Sequence, residues 1–124
     1  MPWIRNWASE FLPLLQKVEK SVRCQKVNDI LKEVGLAEKA CSRPDELSGG
    51  QQQQVAVARA IIARPRVVLA DEPTGSLHWS QGQRIMGLLK SLNEAGTTIV
   101  QVTHDDRVAA YGQRIVELND GWIK

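Results

Sequence analysis

Two short segments limit what this chain can fold into. Val67-Val68-Leu69-Ala70 is an apolar run without alternation, and Asp71-Glu72-Pro73-Thr74-Gly75 follows it directly. Four consecutive apolar residues predict a strand buried on both faces, as in a parallel sheet. The acids then stand at the end of that strand, and a buried strand rarely ends in two adjacent acids without a counter-charge. Neighbouring strand side chains point to opposite sides, so Asp71 and Glu72 cannot do the same job. Upstream, Glu46-Leu47-Ser48-Gly49-Gly50-Gln51-Gln52-Gln53-Gln54-Val55 reads as a glycine turn opening a helix, with Ser48 as its N-cap. A helix start presents N–H groups to an anion, and a strand-end Asp can hold a magnesium ion.

The rest of the chain alternates in the manner of an α/β domain. Val27, Ile30, Leu31 and Val34 share one face of a predicted helix over 16–35, with Gly35 placed to end it. Residues 36–46 form a polar connection with a Pro stop. The second helix is expected over 51–64, closed before Pro65, with Val55, Ala58 and Ile62 as a narrow apolar face. Ile85, Leu88, Leu89 and Leu92 mark a third helix ended by Gly96, and Thr97–Thr103 is the next strand. A strand–helix–strand unit of this length makes a right-handed crossover, so the two strands should be parallel neighbours. A short helix near 105–112 follows, then a hairpin from 114–118 through Asn119-Asp120-Gly121 into 122–124.

Composition narrows the function classes. The 124 residues suffice for one domain, 43% are hydrophobic, and the net charge is +2. That balance gives no case for nucleic acid. The chain has no apolar run near the ~20 residues a membrane helix needs, and residues 1–15 lack the pattern of a signal peptide. A cytoplasmic location is expected. Cys24 and Cys41 stand apart from any Cys/His cluster and suit reduced, structural roles. The tryptophans at 3, 7, 79 and 122 suit packing or exposed anchoring better than base stacking.

Leu47-Ser48-Gly49-Gly50-Gln51 alone is equally well a capped helix start. Followed by Val-Ala-Val-Ala-Arg-Ala and then Ala70-Asp71-Glu72-Pro73-Thr74-Gly75, it resembles the signature and Walker B motifs of an ABC-type ATPase. From about Phe11 to Lys124 the chain is similar to an ABC transporter ATP-binding subunit, nearest the lipoprotein-release and macrolide-export type. No glycine in the sequence is followed by Lys, so the phosphate-gripping Walker A loop is not among these residues. The chain therefore looks like the second half of a nucleotide-binding domain.

The resemblance implies a truncated P-loop NTPase fold of class α/β. Residues 1–64 would form a helical signature subdomain with an N-terminal extension, and 65–124 a partial α/β core with a C-terminal hairpin. ATP and magnesium are the implied cofactors. Ser48, Gly49, Gly50 and Gln51 would contact the γ-phosphate, Asp71 would support the metal, Glu72 would be the general base, and His104 the switch histidine. Two positions depart from the family pattern. His78 stands where an Asp helps couple the two nucleotide sites. Gln54 replaces an Arg, which implies a lost salt bridge or polar contact.

Without Walker A, the chain alone is expected neither to bind ATP tightly nor to hydrolyse it. The family's sheet would place the Walker A strand between the His104 strand and 114–118, so its loss implies a rearranged sheet or an intertwined homodimer. The partners implied are a second copy, an intact ABC ATPase domain or a membrane permease. A non-catalytic interaction module is the alternative. A DNA-repair ATPase fits less well, since no coiled-coil heptads flank the motifs.

Overall fold

The computed structural model describes residues 19–124. Helix α1 (Lys20–Glu33) is followed by two single 3₁₀ turns, Ala37–Lys39 and Pro44–Glu46. Then come helix α2 (Gly49–Ile61), strand β1 (Val67–Asp71), helix α3 (Trp79–Glu94) and strand β2 (Thr98–Val102). Helix α4 (Asp106–Ala109) and a hairpin of β3 (Leu118–Asn119) and β4 (Trp122–Ile123) complete the chain.

Glycine ends the first and third helices as the sequence predicts. Gly35 adopts φ 84°, and its N–H bonds to Lys32 O while Leu36 N bonds to Leu31 O. Gly96 adopts φ 109°, with Gly96 N on Asn93 O and Thr97 N on Leu92 O. Each is a Schellman closure, which needs the left-handed residue that glycine supplies without strain. Helix α2 stops at Ile61, short of the expected 64, because Arg64 already turns the chain at φ 48°.

β1 and β2 pair in parallel, Val67 opposite Thr98 through Asp71 opposite Val102. Val68 on one face joins a core built from Val27, Leu31 and Val34 of α1, Val55, Ala58 and Ile61 of α2, Ile85, Met86 and Leu89 of α3, and Val108 of α4. The other face is bare. Leu69 is 78% exposed and Val102 62%, with Val67 and Val100 also more than half exposed. The expectation of a strand buried on both faces is thus corrected. The apolar run has the composition of a two-sided strand, but the described residues supply helices for one side only.

The β1–β2 sheet and the hairpin form two separate sheets, and no further strand fills the space between β2 and residues 114–118 among the described residues. The hairpin is shorter than expected, with two paired residues per strand. Its loop is Asp120-Gly121, at φ 50° and 83°, the left-handed pair that a tight two-residue turn requires. Cys24 and Cys41 are both free. No described helix is long and apolar enough to cross a membrane. Trp3, Trp7 and the first turn of the expected 16–35 helix lie outside the described residues.

Candidate functional site

Helix α2 begins with a reciprocal cap. Ser48 Oγ accepts from Gln51 N at 3.2 Å, and Gln51 Oε1 accepts from Ser48 N at 3.0 Å. This capping box fixes the first turn and leaves Gly49 and Gly50 at its head. The two glycines face different surroundings. A Cβ on Gly50 would lie 2.8 Å from Ser76 O, whereas one on Gly49 would meet nothing within 4 Å. Gly50 is small because the loop after β1 presses on it. Gly49 leaves its backbone open to whatever approaches from outside.

The four glutamines divide their labour. Gln51 completes the cap. Gln52 Nε2 donates to Pro44 O and Leu47 O, holding the preceding turn. Gln53 Nε2 donates to Glu72 O at 2.7 Å and its Oε1 accepts from Ser76 N at 2.9 Å. Gln54 is buried, and its Nε2 donates to Val34 O at 2.6 Å while its Oε1 has no partner. A polar contact survives at position 54, half satisfied, where the sequence implied a lost one. Gln53 was not singled out from sequence. Its partners lie 19 and 23 residues away, and only the fold brings them together.

Glu72 and His104, both singled out from sequence, meet. Glu72 Oε1 accepts from His104 N at 2.9 Å and lies 2.7 Å from His104 Nδ1, and Glu72 Oε2 accepts from Thr103 Oγ1 at 3.2 Å. The Glu72 backbone sits at φ 45°, unusual for a residue with a side chain, and its N–H bonds to Val102 O at 2.8 Å. The β1–β2 ladder is thereby extended one residue past Asp71, and the carboxylate is turned onto the end of β2. Hydrogen bonding to His104 holds the Glu72 carboxyl below its ordinary value of 4.5. The His104 side chain is 91% exposed and that of Glu72 34%, so the pair stands open to solvent.

Asp71 points the other way, on the bare face of the sheet, and is exposed. No group of three or more His, Cys, Asp or Glu converges to hold a metal among the described residues. A single exposed carboxylate fits a magnesium ion that takes its other ligands from water and phosphate, and does not fit an all-protein cage. Ser48 and the glycines belong to α2, and Gln53 ties that helix to the Glu72 loop.

The flank of the site is braced by charge. Asp105 caps α4 through Arg107 N at 2.9 Å, and its carboxylate takes Nε and Nη2 of Arg107 at 3.1 and 2.8 Å. That pairing lowers the Asp105 pKa and raises that of Arg107. Arg107 also lies 4.2 Å from the Trp79 ring centroid, which gives the partly exposed Trp79 a cation–π partner. His78 is the N-cap of α3 but makes no side-chain cap bond, a role an Asp would fill well. A cleft of about 390 Å³ lined by Lys32, Leu36, Lys39, Gln51 and Arg84, among others, contains neither Glu72 nor His104.

A family model described as ABC transporter matches residues 5–75. The chain is 46% identical over 126 residues to the ABC transporter ATP-binding protein YtrE of Bacillus subtilis, covering 100% of this chain and 54% of that protein. It is 50% identical over 101 residues to the macrolide export ATP-binding/permease protein MacB 1/2 of Paracoccus denitrificans, covering 82% of this chain and 15% of that one. Among solved structures it is similar to the dimeric bacterial ABC transporter cassette MJ0796, with TM-score 0.88 and 41% identity, over 100% of this chain and 56% of the other. A post-hydrolysis state of that cassette bound to ADP and Pi matches equally, with TM-score 0.88. The chain spans about half the length of YtrE and of the solved cassette. The matches begin ahead of Phe11, so the sequence-based start of the resemblance is corrected to include Trp7.

Proposed function

Because this chain belongs to the ABC transporter family, we propose that it is the half of an export-type ATP-binding cassette that carries the signature helix and the hydrolytic acid pair. In this reading residues 1–64 are the helical signature subdomain and 65–124 the partial α/β core. Ser48, Gly49, Gly50 and Gln51 meet the γ-phosphate of a nucleotide held mostly by another cassette, at a helix start suited to an anion. Asp71 supports magnesium. Glu72 orients the attacking water, and His104 holds Glu72 while reaching toward the same phosphate.

The observation that carries the reading is the double contact of His104 on Glu72 Oε1, at 2.7 and 2.9 Å. A carboxylate held below its ordinary value stays ionised at neutral pH. It is also a weak base, which suits orienting and polarising a water rather than removing its proton outright. Bound nucleotide and magnesium would supply the phosphoryl group and the charge neutralisation of its transfer.

The partners in this reading are a second cassette and a membrane permease, at the cytoplasmic face of the membrane. The dimeric cassette and the ATP-binding/permease relatives support it. The 124 residues by themselves neither bind ATP tightly nor turn it over, since no Gly-Lys pair supplies the phosphate grip. An interaction module that supplies its signature helix to a complete domain is the second reading, favoured by the open approach to Gly49 at the head of α2.

Titration of this chain with magnesium-ATP by calorimetry, with released phosphate assayed in the same samples, tests both. Absence of heat and of phosphate is expected. A dissociation constant in the low micromolar range would overturn the expected inactivity. Turnover abolished by Glu72→Gln would then mean that self-association has rebuilt a complete nucleotide site.

A further inference from the structure

The Gln53 amide is used at both ends, with no freedom to flip. Its Nε2 faces a carbonyl, Glu72 O at 2.7 Å, and its Oε1 faces an N–H, Ser76 N at 2.9 Å. Only one orientation of the amide satisfies an acceptor on one side and a donor on the other. The same loop is closed from within by Gly75 N on Glu72 O at 3.1 Å and Leu77 N on Thr74 O at 3.1 Å. It is also pressed against α2 at Gly50, where a Cβ would lie 2.8 Å from Ser76 O. Helix α2 and the 72–76 loop are thus fastened together within two turns of the Ser48 cap.

The fastening falls on the one residue of the loop whose backbone is strained. Glu72 adopts φ 45°, a conformation that an L residue holds only when its surroundings over-determine it. Relaxation of that φ into the ordinary region would swing the carboxylate away from the end of β2, where His104 and Thr103 hold it.

We infer that Gln53 is a positioning residue, which locks the Glu72 backbone in its left-handed conformation and so aims the carboxylate at His104, linking the Ser48–Gln51 helix start mechanically to that carboxylate. This deepens the reading of Glu72 as the water-orienting group and rests on it. A load applied at the helix start, by an anion or a facing cassette, reaches the 72–76 loop through the Gly50–Ser76 packing and reaches the Glu72 backbone directly through the Gln53 side chain. Gln53 touches no reacting atom in this scheme.

The test uses the 124-residue chain without nucleotide, so its outcome is independent of whether the cassette reading holds. His104 N–H exchange, which reads the 2.9 Å bond from His104 N to the Glu72 carboxylate, and Ser76 N–H exchange are followed by NMR in the native chain, in Gln53→Met, which keeps the length but removes both bonds, and in Gln53→Asn, which keeps the amide but withdraws it by one methylene. Both variants should speed His104 N–H and Ser76 N–H exchange about five- to tenfold. Exchange at Val55 and Ala58 should stay as in the native chain, which shows that α2 is intact. Unchanged His104 and Ser76 exchange in a folded variant overturns the inference. Loss of the fold in both variants also overturns it, since Gln53 would then be a determinant of the core. Failure of Glu72→Gln to affect turnover in a complete cassette would instead strike the catalytic reading and leave the clamp standing.

Discussion

The two faces of the β1–β2 sheet are built from the same residue types and meet opposite fates. On one face Val68 is 5% exposed and belongs to the helix-covered core. On the other, Leu69 next to it is 78% exposed. Intrinsic preference cannot explain the difference, because Val and Leu bury equally well on either side of a pleat. What differs is the supply of covering elements. The solved cassette matches this chain over 56% of its own length, and the bare face and the unfilled space beside β2 are surfaces that the remainder of such a cassette could cover.

The sharpest way to break this comparison is a matched pair of truncations. Ile85→Ala, under the covered face at 0% exposure, should cost about 2–5 kcal/mol in urea unfolding. Leu69→Ala should fall within about 0.5 kcal/mol, since no cavity opens behind it. A large cost at Leu69 together with concentration-dependent unfolding would mean that a second copy covers the bare face in solution. That outcome would support the homodimer expected from the sequence, with the bare face as its contact.

A smaller version of the same contrast lies within two adjacent glycines. Gly50→Ala drives a methyl toward Ser76 O and should cost about 1–3 kcal/mol, because the obstacle is backbone and cannot swing aside. Gly49→Ala meets open space and should be neutral, or stabilising by up to about 1 kcal/mol through helix propensity. Thermal unfolding of the two variants side by side checks this. Equal destabilisation would show that Gly49 too is constrained from within the chain, and would remove the reason to read it as a surface kept open for a ligand.

Much of this was legible in the sequence where the signal is local. Periodicity located α1 and α3, Gly35 and Gly96 closed them, and Ser48 capped α2 through Gln51 as its neighbours required. The acid pair could be singled out because it ends an apolar strand, and His104 because it stands where the resembled family has its switch histidine. The exposure of β1 on its second face was not legible, because an apolar run reports what a strand can tolerate and not what packs on it. The Gln53 clamp was illegible for a related reason. Four consecutive glutamines look alike in sequence, and their different roles are set by what each turn of α2 meets: a cap, a turn, a strained loop and the end of α1. His78 shows the converse case, a departure visible in sequence whose structural consequence is an N-cap with no side-chain bond.

The smallest expected effect concerns the exposed carboxyl end of the sheet, where solvent screens every charge. Hydrogen bonding to His104 depresses the Glu72 pKa in the folded chain. A group whose folded pKa lies below its unfolded one adds stability above the unfolded value, and that stability is lost as pH falls through the folded value. The contribution of Glu72 should therefore be complete above about pH 4.5 and fade below it, and it should be missing from Glu72→Gln at every pH. Stability measured by urea unfolding across the acid limb should fall less steeply in Glu72→Gln than in the native chain. His104→Ala should remove most of the same difference, because His104 is the first cause of the shift. If both variants followed the native acid limb, the contacts at 2.7 and 2.9 Å would not persist in solution. The open end of the sheet would then resemble its bare face, exposed and unorganised, and the pairing on which the catalytic reading rests would have to be supplied by a partner.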